Sequence, residues 1–179
     1  MVHATGDGSG AAGRLRVGMV GGGRNACIGA VHRMALRLDD QLVLVAGALS
    51  ADPENARLSG ADLGLPPERC YSDFNEMARR EAARADGIEA VIIVTPNHLH
   101  HLVAKAFLNA GIDVICDKPL AMNLEEAEEL VALARQTGLV FAVTLNNTGY
   151  PMVRQMREMI AGGAVAKSGW CMRTTSRTG

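Results

Sequence analysis

Apolar positions along this chain alternate between short unbroken runs and stripes at helical spacing. Leu15-Arg-Val-Gly-Met-Val20 is a short apolar run ending in Gly21-Gly22-Gly23, which predicts a strand that feeds a tight loop. Residues from about Ile28 to Leu38 read as a helix, and Leu42 to Ala46 as a second strand. Asp52-Pro53 starts a short helix, with proline at its first position. Ile88 to Thr95 is a β-branched run with almost no polar residue, as in a strand buried on both faces of a parallel sheet. Leu99, Leu102, Val103, Ala106, Phe107 and Ala110 then fall at helical spacing, and Gly111 follows as a stop. Ile112 to Cys116 predicts another strand. Asn123 is an N-cap with Glu126 placed for a capping box, and Leu124, Ala127, Leu130, Val131 and Ala134 make the buried stripe of a helix that Gly138 ends. Leu139 to Leu145 predicts one more strand, and Met152 to Ile160 a last helix.

Strand and helix alternate with short connections, and no internal repeat occurs. The natural solution is a doubly wound parallel α/β sheet. Ligands of such sheets sit at the carboxyl ends of the strands. That rule selects four loops, at residues 21–29, 47–51, 95–101 and 116–119.

Composition narrows the function. With 179 residues the chain suits one compact domain, and 48% hydrophobic content excludes disorder for its bulk. A net charge of −1 and 3% aromatic content give no case for a nucleic-acid partner. No apolar run is long enough to span a membrane. Cys27, Cys70, Cys116 and Cys171 are scattered, which suggests neither a zinc site nor a disulfide framework. Residues 1–13 are rich in Gly, Ala and Ser with no apolar signal core, and read as a mobile leader of a cytoplasmic protein.

The loops carry the candidate chemistry. Gly21, Gly22 and Gly23 permit a sharp turn and let a pyrophosphate approach the N-terminus of the next helix. The spacing departs from G-x-G-x-x-G, because the third glycine, Gly29, comes three residues late; a glycine-rich turn without a ligand is the alternative. At the end of the second strand Ser50 holds the place where an acid would bond the ribose 2′-OH of NAD. NADP is therefore allowed beside NAD, with Arg24 or Arg57 as phosphate partners, and Asp52 reads as a helix cap. The third loop, Thr95-Pro96-Asn97-His98-Leu99-His100-His101, has three histidines but no carboxylate or cysteine close in sequence. It reads as polar lining beside a cofactor and not as a metal site. In the fourth loop Lys118 follows a buried strand at the ligand end of the sheet, where it could bind a substrate oxygen or assist proton transfer. An exposed lysine paired with Asp117 is the alternative.

Together the GMVGGG…IGAVH opening, the TPNHLHHLVAKAFLNAGIDVICDKPLA block and Asn146 before Pro151 resemble the glucose–fructose oxidoreductase, inositol dehydrogenase and MocA-like oxidoreductases. The resemblance implies a dinucleotide-binding Rossmann domain over 14–148. It implies NAD(P) contacts from Gly21, Gly22, Gly23, Arg24, Ile28, Ser50, Thr95, Pro96, Asn97, His100, Asp117, Lys118 and Asn146. Lys118 takes the role of the family's substrate-binding or catalytic lysine, and Asp117 stands where the family usually has Glu. The implied reaction is hydride transfer to or from a sugar, inositol or polyol. A coenzyme-binding module without catalysis is the second function class. A nucleotide-dependent methyltransferase has no place for the Asp-Lys-Pro block.

The family's second α/β domain is expected to be absent, with residues 149–166 starting the linker helix towards it. The stretch 167–179 has no Leu, Ile, Val, Asp or Glu and reads as a frameshifted or disordered tail. Its codons from Ser168 can be chosen so that one added G opens a frame for Val-Arg-Val-Val-His-Ala-Asp-Tyr-Val-Gln-Asp-Trp, an alternating strand pattern. A Rossmann half alone predicts dinucleotide binding with weak or absent turnover, and exposed apolar surface that favours a homo-oligomer.

Overall fold

In a computed structural model the described residues are 13–164. The expected leader, apart from Gly13, and the expected tail at 167–179 lie outside them. The chain divides into two compact units, one ending at Thr144 and one starting at Leu145.

The first unit is a parallel sheet of β1 (Leu15–Gly21), β2 (Leu42–Ala48), β3 (Ala90–Val94), β4 (Asp113–Cys116) and β5 (Phe141–Val143), in the order β2-β1-β3-β4-β5. Helices α1 (Cys27–Leu36), α2 (Pro53–Asp62), α3 (Phe74–Ala82), α4 (His100–Asn109) and α5 (Leu124–Thr137) connect the strands. The fold is the doubly wound α/β sheet. Every residue of β3 is buried. Val91 and Ile93 pack with Val103 and Phe107 on one face, while Ile92 and Val94 pack with Met19 and Leu36 on the other. This alternation is why β3 reads as one continuous apolar run: helices cover both faces.

The caps follow from the sequence. Asp52 Oδ1 accepts from Asn55 N–H at 2.7 Å and Asp73 Oδ1 from Glu76 N–H at 2.7 Å. Asn123 Oδ1 accepts from Glu126 N–H at 2.9 Å, but the returning Glu126 carboxylate takes the N–H of Met122, not that of Asn123.

Two expectations are corrected, and one helix goes unpredicted. The apolar pattern does not announce helix α3, because its buried positions include Glu81, which interrupts the apolar stripe of Met77 and Ala78. The α5 stripe is only partly buried: Leu130 is inside, whereas Leu124 is 67% and Val131 41% exposed. The reason is β5, an edge strand of 3 residues instead of the seven expected, too short to cover that face. An apolar groove of about 380 Å³ therefore stays open between Leu130, Val131, Leu139 and Phe141.

The second unit holds a 3-10 turn at Asn146–Gly149 and helix α6 (Pro151–Ala161), whose Met152, Met156 and Ile160 are exposed. Among the described residues no helix is long and apolar enough to cross a membrane.

Candidate functional site

The carboxyl ends of β1, β2 and β3 frame a crevice of about 380 Å³, walled by Gly21, Gly22, Gly23, Ser50, Thr95 and Pro96. The glycines are there for close approach. Gly21 has φ +82°, and a Cβ on it would lie 2.7 Å from the Val94 carbonyl oxygen. A Cβ on Gly29 would lie 2.5 Å from Gly22 Cα. Gly29 thus performs the close helix-to-loop packing of the third glycine despite its late position.

Helix α1 follows Ala26, an N-cap residue that offers no side-chain cap, and has no acidic residue in its first turn. By contrast α2, α3 and α5 are capped by Asp52, Asp73 and Asn123. The first N–H groups of α1 are left for another acceptor, and the helix dipole favours an anion there. Across the crevice Thr95 Oγ1 is buried with no hydrogen-bond partner among the described residues. Both features fit a dinucleotide with an anionic middle and polar ribose edges.

A polar chain unseen in the sequence links the glycine loop to the end of β2. Arg24 N–H donates to Ser59 Oγ at 3.0 Å, Ser59 Oγ to Asn55 Oδ1 at 3.2 Å, and Asn55 Nδ2 to Ser50 Oγ at 3.2 Å. Asn55, Ser72 and Phe74 also line the crevice. The signal for the last two is Asp73-x-x-Glu76, a cap pattern marking a helix start beside them. The 2′-phosphate partners expected from the sequence are already engaged. Arg24 Nε and Nη2 reach Asp62 at 2.6 and 2.8 Å, and Arg57 Nε and Nη2 reach Glu54 at 3.0 and 2.7 Å. Asp52 caps its helix, in keeping with its place in the sequence.

The remaining candidates are dispersed. Ile28, on the first turn of α1, is 39% exposed, and Pro96 and Asn97 are exposed at the end of β3. His100 differs from the expected lining role: it is buried, with Nδ1 2.7 Å from the Pro119 carbonyl oxygen and Nε2 3.0 Å from the Thr95 carbonyl oxygen. It ties the β3 loop to the β4 loop. His101 Nε2 does meet a carboxylate, Glu129 at 2.6 Å, brought in from α5, but no group of three metal-ligating side chains forms among the described residues.

Lys118 is exposed at the end of β4, before a cis Pro119, and its ammonium has no hydrogen-bond partner among the described residues. The pairing of Lys118 with Asp117 is not seen. Asp117 Oδ1 instead accepts from Thr144 Oγ1 at 2.7 Å and lies 4.0 Å from His32 Nε2. Burial pushes the Asp117 carboxyl up, but the bonds from Thr144 and the Lys118 N–H and the charges of His32 and Lys118 outweigh it, so it stays below its ordinary range. Burial holds His32 below the usual imidazole value against the pull of Asp117. Asn146 is exposed in the 3-10 turn of the second unit.

Residues 15–145 match the family model GFO_IDH_MocA, an oxidoreductase family with an NAD-binding Rossmann fold. The chain is 45% identical over 152 residues to the uncharacterized oxidoreductase YfiI of Bacillus subtilis (strain 168), covering 84% of this chain and 39% of that protein. An oxidoreductase from Sinorhizobium meliloti superposes with TM-score 0.81 at 59% identity, over 86% of this chain and 43% of that one. An inositol dehydrogenase homolog from Azotobacter vinelandii, complexed with NADH and myo-inositol, superposes with TM-score 0.83 at 44% identity, over 87% of this chain and 41% of that one. The chain thus spans about two fifths of the length of these relatives.

Proposed function

The chain belongs to the Gfo/Idh/MocA oxidoreductase family, and from that premise we propose that it is the coenzyme-binding half of a dehydrogenase for a sugar, inositol or related polyol. The observation that carries the reading is the crevice itself. It joins an uncapped helix start, a glycine cradle and the unpartnered Thr95 hydroxyl at the ligand end of the sheet. The inositol dehydrogenase homolog solved with NADH and myo-inositol supports the substrate class.

Bound NAD or NADP supplies the hydride acceptor or donor for the carbinol carbon. Gly21 to Gly23, Ile28 and the first turn of α1 hold the pyrophosphate. Ser50 takes a ribose hydroxyl, and Thr95, Pro96 and Asn97 wall the opposite side. Lys118 binds the reacting oxygen, and Asp117 fixes the turn that carries it. His100 acts as a positioning residue through the two loops that it ties. Among the described residues Cys27, Cys70 and Cys116 are free thiols, which fits a reducing compartment, and we place the protein in the cytoplasm.

A second reading keeps the coenzyme and drops the chemistry, leaving a nucleotide-binding module. The exposure of Lys118 favours it, since hydride transfer needs a site closed to water. Calorimetric titration of the 179-residue chain with NAD⁺ and NADP⁺ tests the shared part, and binding of neither defeats both readings. A polyol panel assayed for NAD(P)H formation separates them. Turnover abolished by Lys118→Ala supports the dehydrogenase, and no turnover on any polyol supports the module.

A further inference from the structure

Arg24 is the one charged side chain among the described residues that line the crevice. It is not free. Its guanidinium forks onto both oxygens of Asp62, and its backbone N–H is held by Ser59, so both ends of the residue are tied to α2. The nearby Arg57 is forked onto Glu54 in the same way. The charge of Arg24 is felt at Glu54, whose carboxyl is held below its ordinary range chiefly by the Arg57 hydrogen bond, against burial, with the charges of Arg57 and Arg24 adding to the effect. Asp52 adds a third carboxylate at the start of α2. Two guanidiniums therefore face three carboxylates along this helix.

We infer that Asp62 is a specificity-determining residue that selects NAD over NADP by neutralising Arg24. This rests on the coenzyme-binding reading above. In many dinucleotide sites a carboxylate at the end of the second strand repels a 2′-phosphate. Here Ser50 stands at that place and repels nothing. Discrimination passes instead to α2. A 2′-phosphate brings about two negative charges and needs a guanidinium with a free face. Arg24 offers that face only after it leaves Asp62, and the Asp62 carboxylate then stays beside the incoming phosphate. An unphosphorylated ribose asks for neither, because Ser50 and Asn55 provide neutral hydrogen-bonding groups. Asp62 thus does by charge compensation, from the far end of a helix, what a strand-end acid does by direct contact.

The test is calorimetric titration of the full chain with NAD⁺ and with NADP⁺, alongside Asp62→Asn and the double variant Asp62→Asn/Arg24→Ala. The wild-type chain is expected to bind NAD⁺ about tenfold or more tighter than NADP⁺. Asp62→Asn is expected to tighten NADP⁺ by about tenfold, roughly one charge-assisted hydrogen bond, while NAD⁺ stays within about twofold. Adding Arg24→Ala is expected to remove that gain. Equal wild-type affinities, or an unchanged ratio in Asp62→Asn, overturn this inference and leave coenzyme binding standing. Binding of neither coenzyme by the wild-type chain overturns both.

Discussion

The Thr144 hydroxyl donates a 2.7 Å hydrogen bond to Asp117 Oδ1, so the residue just past β5 fixes the carboxylate next to Lys118. The same carboxylate oxygen faces His32 Nε2 at 4.0 Å. Helix α1, the β4 loop and the end of β5 therefore meet at one charge. Both titrating groups shift downward, and both give stability the same sign. For Asp117 the contribution is present above its unfolded value and is lost as pH falls through its lower folded value. For His32, buried and favoured neutral, stability is full above the unfolded value near 6.5 and is lost as pH falls from there through the folded value. The melting temperature is expected to drop as the pH is taken from about one unit above that imidazole value to about one unit below it, and His32→Gln is expected to flatten that slope. Thermal melts across the window check it, and identical slopes in both proteins refute it.

Thr95 carries a hydroxyl that the described residues leave unsatisfied. A buried orphan destabilises, and its replacement by an apolar group of the same shape is close to neutral or better. Thr95→Val is therefore expected to leave coenzyme-free stability unchanged or slightly raised. If the coenzyme is the missing partner, the variant also loses about 1 kcal/mol of NAD⁺ affinity, close to one hydrogen bond. Calorimetry with a parallel urea melt reads both, and unchanged affinity would show that the hydroxyl serves no ligand.

Gly29→Ala places a methyl 2.5 Å from Gly22 Cα and 2.7 Å from Gly22 O, both backbone atoms that cannot rotate away. Overpacking of this kind costs about 1–3 kcal/mol, and here it also pushes the glycine loop away from α1. Stability and NAD⁺ affinity are expected to fall together. Gly138→Ala is the contrast. Nothing lies within 4 Å of its Cβ, but its φ is +71°, so stability should drop by about 1 kcal/mol with affinity untouched. Urea midpoints and titrations of both variants distinguish a cradle from a plain helix stop.

Much of this is legible along the chain because the informative residues act locally. Proline and glycine punctuate, Asp52 and Asn123 cap, and the β3 run declares a strand covered on both faces. Even the late third glycine has a place, since Gly29 needs only to meet Gly22. What escapes reading depends on partners distant in sequence. Ser59 and Asn55 matter because α2 folds back over the glycine loop, and no spacing rule links Arg24 to Asp62. His100 reads as lining because its loop lines the crevice. Its ring turns inward because two carbonyls, one of them 19 residues on, await it there. The α5 stripe promises more burial than a 3-residue edge strand can supply.

Helix α3 hides for the same reason that makes Glu81 testable. Glu81 and Arg69 are both buried, and Arg69 Nη2 donates to Glu81 while Tyr71 Oη donates to Glu81 Oε1 at 2.8 Å. An acid at an interior position reads as surface, yet this one holds the 69–71 segment against α3. Tyr71 N–H in turn bonds the Gly47 carbonyl at 2.8 Å, which sets the crevice wall at Ser72 and Phe74. Glu81→Gln keeps the shape and removes the charge, leaving the Arg69 guanidinium buried with only Asp86 at 3.8 Å. Breaking a buried pair from one side costs about 3–5 kcal/mol, and Asp86 brings the expected loss to the lower end of that range. Burial, the Glu81 hydrogen bond and the Glu81 charge push the Tyr71 phenol up to about 12. In Glu81→Gln the charge is gone and burial remains, so the phenol should titrate lower but still above its ordinary 10.0. A urea melt gives the first result and a near-ultraviolet phenolate titration the second. A stable variant with an unmoved Tyr71 would mean that the pair does not hold this wall.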